Sequence, residues 1–182
     1  MSSAWRAVRQ EPLGVVRAEA VRFEDEYSEF YRAEFTQVVR TSYLVLHDRQ
    51  RAEEVAQEAF IQLLAHWSKV SKYDQPGAWV RRVAIRIASR SARRERLRPA
   101  LELASPPAPD LAPQDIDLLN AIGHLPPRQR AAVALHYFED RPLPEVADIL
   151  GCSHATAKGH VFHARRRLAE LLGEEISDGD RR

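Results

Sequence analysis

The side chains with the clearest chemical bias in this chain are cations at helical spacing. Arg82, Arg86, Ser89 and Arg93 recur at intervals of four, three and four, with Arg81, Arg90 and Arg94 beside them. Residues at those intervals share one face of an α-helix. Arginines with almost no acid between them repel one another unless an anion is bound, whereas a face that only meets water usually mixes both signs. The pattern predicts a nucleic-acid backbone as ligand. A second basic group lies in residues 143–172, LPEVADILGCSHATAKGHVFHARRRLAELL. It reads as a helix-turn-helix. Pro144 suits a first helical turn, where its missing N–H costs nothing. Gly151 stands where the helix must stop, and glycine takes the left-handed conformation without strain. Ser153 is placed to cap the next helix. That helix presents His154, Ala155, Thr156, Lys158 and His160 early, where a recognition helix meets base edges.

Other chemistry finds less support. No glycine-rich phosphate loop or nucleophile–base pattern is present, so neither catalysis nor a cofactor is expected. Cys152, His154, His160 and His163 have spacings that suggest zinc. Yet Cys152 occupies the small apolar position of the turn, where cysteine packs as a hydrophobe. No metal is expected.

The elements that position these residues follow from the rest of the chain. Its 182 residues allow one domain or two small ones, and its net charge of +1 hides a segregation. Arginines crowd residues 81–98, while residues 99–127 contain no Lys or Arg. The single cysteine excludes an intramolecular disulfide and suits a reducing compartment. No apolar run approaches the roughly 20 residues of a membrane span, and the first residues lack a signal peptide's apolar core. A cytoplasmic protein without membrane insertion is expected.

Residues 1–22 read as an extension of weak periodicity. From Phe23, the spacing of Tyr27, Phe30, Tyr31, Phe35, Val38, Val39, Tyr43 and Leu46 predicts an amphipathic helix. Asp48 or a neighbour caps a second helix running to about Trp67, with Ala52, Val55, Ala56, Ala59, Phe60, Leu63, Leu64 and Trp67 facing the core. Glu54, Gln57, Glu58 and Ile61 fall on the opposite side. An isoleucine among acids and an amide, where solvent should be, predicts a partner-binding face. Residues 68–77 form a polar loop containing Lys69, Lys72 and Tyr73. A helix over 78–96 buries Trp79, Val80, Val83, Ala84, Ile87 and Ser91 and carries the arginine stripe. Prolines at 99, 106, 107, 109 and 113 make residues 99–114 a stiff acidic linker between domains at 23–98 and 115–173. Ile116, Leu118, Leu119, Ile122 and Leu125 begin the second domain. Pro126-Pro127 opens a further helix, whose Val133, Leu135 and Phe138 should pack under the helix-turn-helix. Residues 174–182 read as a charged tail.

This fold class is all-α: two small helical domains joined by a Pro-rich linker. The chain resembles bacterial RNA polymerase sigma factors of the extracytoplasmic-function group, in the sigma-70 family. Three stretches carry the resemblance. AEEVAQEAFIQLLAHW is similar to the family's polymerase-binding helix, PGAWVRRVAIRIASRSARR to the helix handling the promoter −10 element, and LPPRQRAAVALHYFEDRPLPEVADILGCSHATAKGHVFHARRRL to the −35-binding domain. The resemblance implies that Glu54, Gln57, Glu58 and Ile61 dock on core RNA polymerase. It implies that Lys69, Lys72 and Tyr73 meet the extruded −10 base and its strand, and that Arg82, Arg86, Arg90 and Arg93 hold phosphates there. It places Ser153, His154, Ala155, Thr156, Lys158 and His160 at the double-stranded −35 element, with Arg128 and Arg130 on phosphates. An anti-sigma factor is a further implied partner. The chain departs from the family's habit at Arg86, where asparagine is common, and at Arg90, where an acid is common nearby. It departs again at Thr156-Ala157-Lys158-Gly159-His160, where Thr-Val-Lys-Ser-Arg is common, and at His163, where arginine is usual. The competing reading is a helix-turn-helix regulator that binds DNA without polymerase.

Overall fold

A computed structural model describes residues 13–96 and 113–173 of the chain. Its elements are α1 (Leu13–Leu46), α2 (Arg49–Val70), α3 (Pro76–Arg96), α4 (Pro113–Gly123), α5 (Pro127–Val133), a π-helical segment (Ala134–Phe138), α6 (Leu143–Leu150) and α7 (His154–Leu172). The described residues contain no strand. The all-α class expected from periodicity is what the chain adopts.

Capping chemistry sets several boundaries. Asp48 caps α2, its carboxylate accepting from Arg51 N–H at 3.0 Å. Gly151 ends α6 at φ +63°, and Ser153 caps α7 by accepting from Thr156 N–H at 3.1 Å. Pro127 opens α5 at its first turn. Two helices run longer than periodicity suggests. α1 starts ten residues before Phe23, because no breaker follows Gly14 and helical propensity needs no buried face to continue an existing helix. α2 runs past Trp67 because Val70 extends its buried stripe. Residues 68–70, Lys69 among them, are therefore helical, and only residues 71–75 form the loop.

α1, α2 and α3 pack around an aromatic cluster. Phe60 is enclosed by Phe30, Tyr31 and Phe35, and Trp67 by Tyr27 and Phe30, at ring separations of 4.9 to 6.3 Å. The hydroxyl of Tyr27 donates to the Phe60 carbonyl at 2.8 Å, so its polar end is satisfied. Full burial of a side chain such as Phe60 contributes about 1.5–3 kcal/mol. One residue of the expected stripe departs: Leu64 is 45% exposed. Leu63 and Leu64 are neighbours about 100° apart, and only Leu63 points inward.

The halves before and after the proline stretch share one contiguous apolar core. It runs from Val38, Val80 and Ala84 to Ala131, Leu135, Val146 and Ile149. α3 is therefore buried on a second side as well, at Ile85, Ala88 and Ala92. Phe138, expected under the helix-turn-helix, is instead 42% exposed and lines a cavity against α1. The wider turn of the π-helical segment re-aims the residues at its end.

His47 joins the halves. It sits at φ +56° after α1, and its Nε2–H donates to the Leu119 carbonyl of α4 at 2.6 Å. A Cβ at Gly123 would stand 3.2 Å from the ring, so glycine there makes room for it. Burial holds its pKa below the ordinary value near 6.5. The Leu119 bond partly opposes that shift, and the nearby charges of Arg130 and His124 reinforce it. The buried Nδ1 has no acceptor to receive a second proton. Because the folded value is depressed, this contact's stability is fully present above about pH 6.5 and is lost as pH falls through the lower folded value. NMR titration should place the His47 midpoint below 6.5, and amide exchange around Leu119 should quicken over that same range. A midpoint at or above 6.5 would contradict the burial argument.

Candidate nucleic-acid and protein interfaces

Three surfaces carry the residues singled out by spacing. On α2, Glu54, Gln57, Glu58 and Ile61 are all exposed along one side, and Ile61 is 64% exposed. Gln50 donates to Glu54 at 3.2 Å and Gln62 to Glu58 at 2.8 Å, so neighbouring amides orient both carboxylates. Leu64 joins this face, one turn from Ile61. The signal that could have found it was its three-residue interval from the outward-facing Ile61. The arrangement is an apolar strip edged with acids, suited to a partner that is basic around an apolar groove.

On α3, Arg82, Arg86, Arg90 and Arg93 all reach the surface. Arg86 contacts the Gln62 side chain at 3.3 Å, and Arg82 donates to the Asp148 carbonyl of α6. Arg81 leaves the stripe. It is 3% exposed and ion-paired with Glu34 and Glu139. Lys69 in the last turn of α2, and Lys72 and Tyr73 in the following loop, are exposed at the end of α2 from which α3 begins. Cations and an aromatic ring there fit an unpaired strand, whose bases stack and whose phosphates attract charge.

The helix-turn-helix places Ser153, His154, Ala155, Thr156 and Lys158 on the open side of α7, with Ala157, Val161 and Ala164 buried beneath. Cys152 packs against the apolar core, in keeping with its reading as a hydrophobe. His160 is half-buried, and burial pushes its pKa down, with Arg128 and His163 adding to the shift. Arg128 is exposed but donates to the Leu150 carbonyl at 2.5 Å, bracing the end of α6. Arg130 corrects the sequence reading. It is only 7% exposed, because α5 turns that side into the core, so it is not available to phosphate.

Two family models match the stretches of chain that carry these surfaces. The family model described as Sigma-70 region 2 matches residues 30–98, and that described as Sigma-70, region 4 matches residues 115–168. The chain belongs to the sigma-70 family. Relatives include the "RNA polymerase sigma-E factor" of Streptomyces coelicolor, 28% identical over 81% of this chain and 86% of that protein. Another is the "ECF RNA polymerase sigma factor SigE" of Mycolicibacterium smegmatis, 28% identical over 97% of this chain and 74% of that protein. The fold is shared with the sigma factor RpoE of Bartonella quintana, solved with the anti-sigma factor NepR. The TM-score is 0.67 at 20% identity, covering 82% of this chain and 98% of that one.

This sigma factor is of the extracytoplasmic-function group and serves promoter-directed transcription initiation. The α2 and α3 surfaces lie in its region 2, and the helix-turn-helix lies in its region 4. Among the described residues, no helix is long and apolar enough to cross a membrane.

Proposed function

We propose that the three surfaces divide the work of initiation. The α2 strip of Glu54, Gln57, Glu58, Ile61 and Leu64 docks on core RNA polymerase, where basic side chains meet the acids and Ile61 is buried. Lys69, Lys72 and Tyr73 hold the opened −10 strand, and Arg82, Arg86, Arg90 and Arg93 neutralise its phosphates. Ser153, His154, Ala155, Thr156 and Lys158 enter the −35 major groove, with Arg128 and His160 at its phosphate edge. The observation that supports this reading best is the pairing of an exposed isoleucine strip on α2 with an arginine stripe on α3. A regulator acting without polymerase has no use for that strip. The setting is the cytoplasm, where polymerase works, and an anti-sigma factor is a partner by analogy with the RpoE complex.

Run-off transcription with core polymerase on a genomic promoter library tests the reading. Defined transcripts that need this protein are expected. On those templates, Arg86→Ala and Arg93→Ala should each make promoter-complex formation less salt-dependent, reducing the log–log slope by roughly one unit per lost phosphate contact. DNA binding without any transcript would favour the polymerase-independent regulator. An unchanged slope in both variants would return the arginine stripe to a solvated face.

A further inference from the structure

The outward face of α7 holds two residues that the free fold does not explain. The first is Gly159, in the interior of the helix. Only proline is less favourable than glycine there. Gly159 is not at positive φ, unlike Gly151 and Gly173, so the backbone does not require a glycine. Packing does not require one either: a Cβ built at Gly159 would meet nothing within 4 Å. Alanine would fit the free protein and strengthen the helix. The second is Phe162, which is 58% exposed. Its ring stands edge-on to that of His163, at a centroid separation of 5.5 Å, a contact that steadies the phenyl group without covering it.

Helical period puts both on the side away from the core. Ala157, Val161 and Ala164 are the buried stripe of α7. At about 100° per residue, Gly159 lies about 165° round from the middle of that stripe. Ala155 is one turn before it and Phe162 one turn after it, each within about 60° of its direction. This outward line therefore reads as a methyl, a bare length of backbone and a phenyl ring. Lys158, Arg165 and Arg166 are exposed around it. The result is a notch with a backbone floor and apolar ends, set among cations.

The chemistry of the notch limits what fits it. The cations beside it suit phosphates. The notch itself offers no polar group, because the N–H and C=O groups of its floor are bonded within the helix. A base donor or acceptor pressed against it would lose its water and gain no partner. In the major groove the apolar group on a base edge is the thymine 5-methyl, and alanine and phenylalanine are side chains that suit it. Without a Cβ at Gly159, that methyl can come down to the helix backbone between Ala155 and Phe162.

We infer that Ala155, Gly159 and Phe162 form a methyl-reading notch that selects a thymine in the −35 element, with Gly159 as its floor and Phe162 as its wall. The inference rests on the assignment of α7 to the −35 major groove. Glycine stands here where serine is common in the family, so this readout is particular to this chain. The glycine weakens the helix in the free protein, and its advantage arises only against DNA. Lys158 stands to one side of the notch and reads a neighbouring base pair by its charge.

The test uses holoenzyme reconstituted from the full chain and core polymerase. Its probes are promoter fragments in which the −35 thymines of either strand are replaced, one at a time, by deoxyuridine. Deoxyuridine keeps the pairing and lacks only the 5-methyl. One replacement should weaken wild-type promoter-complex formation about fourfold, the worth of one buried methyl. Gly159→Ala should raise the thermal midpoint of the free protein by about 2–4 °C. It should nevertheless weaken binding to the thymine promoter about tenfold, since a methyl now overfills the notch. At that same position deoxyuridine should strengthen binding by Gly159→Ala, because the methyl has moved from the DNA to the protein. A merely structural role for Gly159 does not produce this change of sign. Phe162→Ala should bind thymine and deoxyuridine equally there. The inference is overturned if no replacement weakens the wild type, or if Gly159→Ala ranks thymine and deoxyuridine as the wild type does. Lys158→Ala tells that failure from a deeper one. If Lys158→Ala weakens binding while the deoxyuridine series is flat, α7 still reads the −35 element and the notch alone fails. If Lys158→Ala, Gly159→Ala and Phe162→Ala all bind as wild type, the assignment of α7 to the groove fails as well.

Discussion

Gln57→Ala combined with Ile61→Glu is expected to weaken core-polymerase binding at least about 100-fold while leaving helicity and the thermal midpoint nearly unchanged. The stability half of this expectation follows from exposure. Both side chains point to solvent on α2, and the core stripe of Val55, Ala56, Ala59, Phe60 and Leu63 lies on the other side. Surface substitutions of this kind usually change stability by no more than about 0.5 kcal/mol. The binding half follows from what Ile61 would bury. Losing an isoleucine from an interface removes about 1.5–3 kcal/mol of apolar transfer. A carboxylate enclosed in its place adds an unpaired charge that cannot keep its water. The sum exceeds the 2.7 kcal/mol or so that corresponds to 100-fold. Leu64→Ala, one turn away, should weaken binding by less. Titration of labelled core polymerase against wild type and variants gives the answer, and wild-type affinity in the double variant would remove α2 from the polymerase interface.

Lys158→Ala is the second large effect. Lys158 is exposed on the same side of α7 as His154 and Ala155, over the buried Ala157 and Val161. Its ammonium suits the O6 and N7 acceptors of guanine. Its loss should cost roughly 1–3 kcal/mol on the cognate −35 sequence and relax selectivity at one base pair. His160 stands about 200° further round, half-buried. Its depressed pKa keeps it neutral at pH 7, so a contribution to phosphate binding should grow only as pH falls below about 6.5. His160→Ala should then resemble wild type at pH 7.5 and bind all sequences more weakly at lower pH. A panel of single-base −35 substitutions at two pH values separates the roles. A change of base preference in His160→Ala, with none in Lys158→Ala, would reverse them.

Local chemistry made most of this molecule legible before any coordinates. Asp48, Gly151 and Ser153 act at short range, through one carboxylate, one left-handed turn and one hydroxyl: Asp48 and Ser153 each begin a helix and Gly151 ends one, where their types predict. The period of Val55, Ala59, Phe60 and Leu63 reports a buried face because every third or fourth residue of a helix must share it. The outward position of Ile61 and the arginine stripe follow from the same period. Three motifs in order were enough to suggest the family.

Tertiary structure decided what periodicity cannot address. Whether Arg81 or Arg82 faces solvent depends on a neighbour: the second half of the chain packs on α3, burying Arg81 against Glu139 and leaving Arg82 at the rim. Arg130 looked like a phosphate ligand because an arginine after Pro126-Pro127 carries no mark of burial, yet α5 turns it inward. Leu64 looked like core because hydrophobicity alone does not say which of two adjacent leucines wins the inner position. Glu139 gave no signal at all. Its partners Arg81 and Thr41 lie 58 and 98 positions earlier in the chain. A contact across that distance is set by how two helical units dock, and one sequence records only the local preferences of each.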